Sequence, residues 1–294
     1  MDLDQFETYL GGEKPLESID MEHLELWATS LKGNYAPASI RRQFATLRVF
    51  YSYWTRRREL TSSPLWNMRL DLEPERKLPR SLSATDAKRL VEKAWSKVVI
   101  PQSIAGSSRC CRFLAVRNLA IIELLFATGI RVGELVALTL TDWREDEKSF
   151  LINGKGSRQR LAVVPDERSF VAIRSYLTSR ASLPIRHNAT FVNASGGGLS
   201  TQGVARVLAT LARDAGIEKR VTPHMIRHTV ATLLLRNGAD IRVVQEVLGH
   251  ASITMTERYT HVSKEHLRST LYAHHPNHHL GIEYAIGSLV APTR

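Results

Sequence analysis

Five short stretches of this sequence carry side chains able to hold or attack an anion. The first, Ala127-Thr128-Gly129-Ile130-Arg131-Val132-Gly133-Glu134-Leu135, sets an arginine just beyond a glycine, with a carboxylate three residues later. If the chain re-enters a helix there, Glu134 lies one turn away and can hold the guanidinium fork of Arg131 toward a phosphate. Asn153-Gly154-Lys155-Gly156-Ser157 places one lysine between two glycines, a turn that can deliver a mobile ammonium to a nucleic-acid backbone. Thr222-Pro223-His224-Met225-Ile226-Arg227-His228 opens a helix, with Pro223 suited to the first helical position. His224 and Arg227 share a face at that N-terminus, where the helix dipole also favours anions. Leu248-Gly249-His250 puts a histidine after a helix stop, and Tyr259 follows in Thr254-Met255-Thr256-Glu257-Arg258-Tyr259-Thr260-His261. Taken singly, each has an ordinary explanation: a surface ion pair, a solubilising turn, a capping histidine, a packed tyrosine.

The charge of the chain points the same way. Lys and Arg number 40 against 29 Asp and Glu, a net charge of +11, which favours a polyanionic partner. The sign reverses within the first domain: residues 1–31 hold eight acids and one base, and residues 32–72 hold eight bases and two acids. One face turned to phosphates and one turned away would produce that pattern. A chain that is 43% hydrophobic and 23% charged builds ordinary cores and is not a disordered basic tail. No uncharged apolar run reaches the roughly 18 residues that span a bilayer, and the acidic start Met1-Asp2-Leu3-Asp4 lacks a signal-peptide pattern. The two cysteines, Cys110 and Cys111, are adjacent, so a disulfide scaffold and a cysteine zinc site are both excluded. A cytoplasmic, soluble protein is expected.

The elements that must position these groups read as mainly helical. A helix is expected over Ser18–Lys32, capped by Ser18, and a second over Ala38–Leu60 with Ile40, Phe44, Leu47, Phe50, Tyr51 and Trp54 at helical spacing. Arg41, Arg42 and Arg48 lie off that apolar stripe and are the expected DNA contacts. Asp71–Ser81, with Pro74 and Pro79 among charges, reads as a linker. The expected division is 1–72 as a small helical DNA-binding domain, 73–82 as linker, 83–273 as the larger domain and 274–294 as a tail. Ser83-Ala84-Thr85-Asp86 opens the first helix of the larger domain, Pro101–Ser108 is a polar loop, and Arg112–Thr128 is a buried helix stopped by Gly129. Ser149–Ile152 and Arg160–Val164 form a β-hairpin about Asn153-Gly154. Helices follow at about 167–180, 201–215, 223–237, 240–248 and 253–260, and residues 275–294 read as irregular. The His-rich run with His274, His275, His278 and His279 is expected to be solvated or docked on a neighbouring protomer.

In their order, Arg, Lys, His-x-x-Arg, His, Tyr, and in their local wording, these stretches resemble the tyrosine recombinase (phage integrase) family, most of all the bacterial Xer recombinases. The resemblance spans about residues 2–273 and includes Ser39-Ile40-Arg41-Arg42 and Leu47-Arg48-Val49-Phe50-Tyr51. It implies a two-domain DNA clamp: a small helical N-terminal domain and a mostly helical catalytic domain with a small antiparallel sheet. It further implies a site-specific recombinase acting on double-stranded DNA. Tyr259 would attack a scissile phosphate, forming a 3′-phosphotyrosyl link and freeing a 5′-hydroxyl. Arg131, Arg227 and His250 would stabilise charge on the non-bridging oxygens. His224 would take the tyrosine proton, Lys155 would protonate the leaving oxygen, and Glu134 would orient Arg131. The covalent link conserves the phosphodiester's free energy, so no cofactor is expected, and no metal site accompanies these residues. Strand exchange between two sites implies a homo- or hetero-tetramer, with accessory proteins possible and no membrane partner. Two other readings stand beside this one: a DNA-relaxing topoisomerase with the same chemistry, and a catalytically silent DNA-binding accessory protein.

Overall fold

The computed structural model describes residues 2–72, 81–99, 109–154, 159–185, 187–249 and 264–279. The chain divides into two compact units, Met1–Leu78 and Pro79–Arg294. Most of the expected linker, 73–80, and the loop at 101–108 lie outside the described residues.

Three helices build the first unit: α1 (Asp2–Leu10), α2 (Met21–Leu31) and α3 (Pro37–Arg56). An aromatic stack joins them. Phe6 of α1 meets Trp27 of α2 at 4.7 Å between ring centroids, and Trp27 meets Phe44 of α3 at 5.0 Å. Ile40, Phe44, Leu47 and Tyr51 form the buried stripe of α3, as their spacing predicts. Two boundaries differ from expectation. Asp20, not Ser18, caps α2: its carboxylate accepts from the His23 amide at 3.0 Å. The Ser18 hydroxyl is bonded instead to the Pro15 carbonyl, at the end of a 3-10 turn over Leu16–Ser18. Helix α3 stops at Arg56, four residues early, because Arg58 takes a left-handed backbone with φ +61°.

The second unit begins with α4 (Ala84–Val99), where the Ser83 hydroxyl accepts from the Asp86 amide as expected. It continues through α5 (Arg109–Thr128), α6 (Val132–Ala137), β1 (Trp143–Arg144), β2 (Ser149–Asn153), β3 (Gln159–Val163), α7 (Glu167–Ala181), α8 (Thr201–Asp214), α9 (Pro223–Arg236), α10 (Ile241–Leu248), α11 (Lys264–His274) and α12 (Pro276–His279). Helix α5 is its axle. Every residue from 119 to 130 is buried, which a helix apolar on all sides requires, and α4, α7 and α9 surround it. The hairpin carries a third strand: the antiparallel order is β1-β2-β3, with Ile152 opposite Arg160 and Asn153 opposite Gln159. Two residues of β1 are too few to show an alternating pattern in sequence. The helix expected at 253–260 lies outside the described residues.

The His-rich run departs most from expectation. His275 is fully buried and Asn277 nearly so. His275 Nε2 donates to the Ala127 carbonyl at 2.9 Å, while its Nδ1 accepts from the Asn277 amide at 3.3 Å. Asn277 Nδ2 donates to Asp166 Oδ2 at 2.9 Å and to Ser169 Oγ at 3.1 Å. Ser169 Oγ donates in turn to Glu123 Oε2 at 2.7 Å, and the Trp95 indole donates to Glu123 Oε1 at 2.5 Å. Arg168 lies 3.1 Å from the same carboxylate. A carboxylate buried in the largely apolar stretch 119–130 must be satisfied in this way. The start of the expected tail therefore closes a polar cluster inside its own unit.

Candidate active site

The arginine site forms where two helices end in glycine. Helix α5 terminates at Gly129, with φ +58°, and α10 terminates at Gly249, with φ +63°. Left-handed turns of this kind leave the last carbonyls of a helix without internal partners. Two guanidiniums occupy those acceptors. Arg227, buried on the first turns of α9, donates to the Gly129 carbonyl at 2.7 Å and to the Leu248 carbonyl at 2.5 Å. Arg131 donates to the Gly249 carbonyl at 2.7 Å. Helix C-termini carry partial negative charge, which suits both contacts. Side chains at these glycines would not fit. A Cβ on Gly129 would stand 2.6 Å from Leu248 Cδ2, and one on Gly249 would stand 2.4 Å from Arg160 Nε.

Glu134 holds the other side of Arg131, as its position in sequence predicts. Arg131 caps α6, and Glu134, in the first turn, accepts from the Arg131 amide at 3.0 Å and from its Nη1 at 2.9 Å. The same carboxylate accepts from Arg160 Nη2 on β3 at 2.7 Å. In the sequence Arg160 stands out only as the first residue of an expected strand. The available signal was a charged residue heading an otherwise apolar strand, Leu161-Ala162-Val163.

Arg131 and Arg160 thus share one carboxylate, and Arg227 stands beside them on backbone carbonyls: three guanidiniums against one carboxylate, a net charge of about +2 in a half-buried cluster. The electrostatics register this. Burial, followed by repulsion from Arg131 and Arg160, pulls the Arg227 guanidinium down to about 10, with Glu134 opposing. Arg160 is lowered by burial and by Arg131, again with Glu134 opposing. Both remain charged at neutral pH, and an added anion would relieve the repulsion. Arg131 and Arg227 each use two of five N–H groups in the bonds above. The arrangement is preorganised to take a tetrahedral anion.

Thr222 caps α9 through the Met225 amide at 3.2 Å, and His224, one turn before Arg227, is exposed. Lys155, His250 and Tyr259 lie outside the described residues; the chain leaves the site at Gly249, immediately before His250. The three arginines expected to meet DNA stand on the exposed side of α3, but each also braces its own unit. Arg41 donates to the Leu72 carbonyl at 2.8 Å, Arg48 to the Met68 carbonyl at 3.1 Å, and Arg42 to Asp2 Oδ2 at 2.5 Å. The acidic and basic segments of the first domain are therefore joined in part through Arg42 and Asp2. Among the described residues no helix is long and apolar enough to cross a membrane.

Comparison with known proteins adds an independent line. The Phage integrase family profile matches residues 101–266. The profile of the Phage integrase, N-terminal SAM-like domain matches residues 1–58. Tyrosine recombinase XerC of Listeria innocua is 33% identical over 286 residues, covering 94% of this chain and 89% of the relative. Tyrosine recombinase XerD of Oceanobacillus iheyensis is 37% identical over 242 residues, covering 81% and 76%. Among solved structures, XerA recombinase aligns over 96% of this chain and 90% of its own, with 30% identity and a TM-score of 0.52. XerH site-specific recombinase bound to difH substrate, in a pre-cleavage complex, aligns over 92% and 76%, with 25% identity and a TM-score of 0.65.

Proposed function

The chain belongs to the phage integrase family and is a tyrosine site-specific recombinase of the Xer kind, and on that premise we propose which of its residues perform each step. Its substrate is double-stranded DNA. Tyr259 Oη attacks the scissile phosphorus, forming a P–O bond to tyrosine as the bond to the 5′-oxygen breaks. His224 accepts the tyrosine proton, and Lys155 donates a proton to the departing 5′-oxygen. The free 5′-hydroxyl of a partner strand then attacks the phosphotyrosine, releasing Tyr259, so each strand exchange is two transesterifications. Arg131 and Arg227 clamp the non-bridging oxygens as the phosphorane gathers charge, and His250 adds a hydrogen bond. Glu134 orients Arg131.

The observation that carries this reading is the convergence of Arg131 and Arg227 on the carbonyls of Gly129, Leu248 and Gly249. That anchoring fixes both guanidiniums at the point where the chain passes into the segment bearing His250 and Tyr259. The first unit supplies DNA contacts through Arg41, Arg42 and Arg48, and four protomers assemble on two sites in the cytoplasm. Residues 1–72 serve as the DNA-binding domain and 83–273 as the catalytic domain.

The test is covalent capture. Incubating the protein with fragments of its neighbouring genomic DNA and resolving the products under denaturing conditions should give a protein–DNA adduct that maps the site. Tyr259→Phe should abolish the adduct and leave binding within about threefold, since one hydroxyl contributes little to a phosphate-dominated affinity. An adduct that persists in Tyr259→Phe refutes the nucleophile assignment. Wild-type protein that relaxes supercoils without recombining two sites would favour the topoisomerase reading.

A further inference from the structure

We propose that Arg160 is a positioning residue for cleavage: through Glu134 it sets where, and with how much uncompensated charge, the Arg131 guanidinium meets the scissile phosphate. The proposal rests on the recombinase site described above and deepens it.

Three observations converge on this side chain. Arg160 bridges to the carboxylate that holds Arg131. Its Nη2 lies 2.7 Å from Glu134 Oε2, the oxygen that also accepts from the Arg131 amide, while Oε1 accepts from Arg131 Nη1. Facing Arg131 alone, Glu134 would form a near-neutral pair, and the field of Arg131 at a phosphate would be largely cancelled. A second guanidinium on the same carboxylate restores a net positive charge without releasing Arg131 from its orienting bonds.

Arg160 also packs directly under the Gly249 turn, where any Cβ would stand 2.4 Å from its Nε. The Gly249 carbonyl is the second anchor of Arg131. Both restraints on Arg131, the carboxylate and the carbonyl, therefore meet the same arginine.

Arg160 belongs to the hairpin that carries Lys155 five residues earlier, and its place there is fixed by pairing with Ile152. Through Arg160 this hairpin meets both α6, at Glu134, and the end of α10, at Gly249. Packing alone does not account for it. Only 17% of the side chain is exposed, and Nη1 is buried without a hydrogen-bond partner among the described residues. A methionine of similar length would fill the space without leaving that donor unsatisfied.

The experiment compares Arg160→Met, which keeps bulk and removes charge, with Arg160→Lys, which keeps charge. The substrate is a duplex carrying the cleavage site mapped with wild-type protein. Adduct formation is followed in a single turnover at saturating protein, and DNA affinity is measured separately. Arg160→Met should form adduct about tenfold to a hundredfold more slowly, the scale of a misplaced catalytic group, with affinity within about threefold of wild type. Arg160→Lys should recover most of that loss.

A second substrate replaces one non-bridging oxygen of the scissile phosphate with methyl and so lacks the charge that Arg131 meets. On it, the gap between Arg160→Met and wild type should shrink to about threefold or less. If Arg160→Met does not fold, Arg160→Gln, which keeps a donor for Glu134 but no charge, replaces it. A wild-type rate in Arg160→Met overturns the proposal. So does a deficit that Lys does not relieve and the methyl substrate does not narrow, which would mark a packing role. Weakened affinity with an unchanged saturated rate also overturns it, by making Arg160 a direct phosphate contact. A wild-type protein that forms no adduct overturns the recombinase site itself and the proposal with it, whereas a Tyr259-dependent adduct unaffected at Arg160 overturns the proposal alone.

Discussion

Replacing Gly249 with alanine separates the two physical reasons for a glycine at the end of α10. The backbone there has φ +63°, a conformation that costs an L-residue about 1–2 kcal/mol. The added methyl would also lie 2.4 Å from Arg160 Nε, well inside van der Waals contact. The guanidinium must retreat by about 1 Å, which breaks the 2.7 Å bond from Arg160 to Glu134; a hydrogen bond to a charged group contributes about 1.5–3 kcal/mol. The sum, about 2.5–5 kcal/mol, should lower the Tm of the second unit by roughly 5–20 °C, at about 2–4 °C per kcal/mol for a unit of this size. Urea denaturation followed by circular dichroism gives the free energy, and a thermal scan gives the shift. The decisive comparison is made in an Arg160→Ala background, where the steric part is absent and Gly249→Ala should cost only the backbone term of about 1–2 kcal/mol. A Tm within about 2 °C of wild type refutes the reasoning. So does an equal loss in both backgrounds, since the contact would then contribute nothing.

Lys155→Ala should slow cleavage by about a hundredfold or more, the scale of a lost general acid. A substrate with sulfur at the bridging 5′ position, whose thiolate leaves unprotonated, should restore it in Lys155→Ala but not in Arg131→Ala or Arg227→Ala; equal rescue of all three removes Lys155 as the acid. DNA affinity should fall steeply with salt, and neutralising Arg41 and Arg42 should flatten the slope by about one per lost phosphate contact; an unchanged slope takes α3 out of the interface. Burial pushes the Asp166 carboxyl up, but His275, the Ser169 amide, Arg168 and Asn277 outweigh it and hold the carboxyl below its ordinary value. Its stabilising contribution is therefore complete above the unfolded-state value and lost as pH falls through the depressed folded one. Burial raises Glu123, the opposite sense, so the measurement is the difference between wild type and Asp166→Asn across the acid limb; parallel curves refute it. Removing residues 275–294 strips His275 and Asn277 from the interior and should lower the Tm of the second unit by at least about 5 °C, at about 1–3 kcal/mol per buried group left unpaired; an unchanged Tm would mean that cluster contributes nothing.

What the sequence makes legible and what it hides follow from the range of the interactions involved. The stripe of α3, the buried length of α5, the Ser83 cap and the Glu134 contact to Arg131 are all set by residues within one or two turns of each other, so spacing reveals them. The shift of the α2 cap from Ser18 to Asp20 is a local competition between two capping side chains, decided when the Ser18 hydroxyl found the Pro15 carbonyl. Spacing alone cannot settle such a contest. Contacts across the chain are of another kind. Arg227 meets carbonyls at Gly129 and Leu248, Arg131 meets Gly249, and His275 meets Ala127. Each joins a side chain to a backbone oxygen, and a backbone oxygen leaves no mark on residue type. The glycines did leave one, as helix stops. The physics that makes a glycine stop a helix also leaves carbonyls without partners, and at Gly129 and Gly249 those carbonyls became the mounts for the two arginines. Arg160 is the same case in reverse: a charge at the head of an apolar strand is visible in the sequence, but its partner Glu134 already has a local explanation in Arg131, so spacing does not join the two. That charge separates an arginine neutralised by its carboxylate from one left with field to spare for a phosphate.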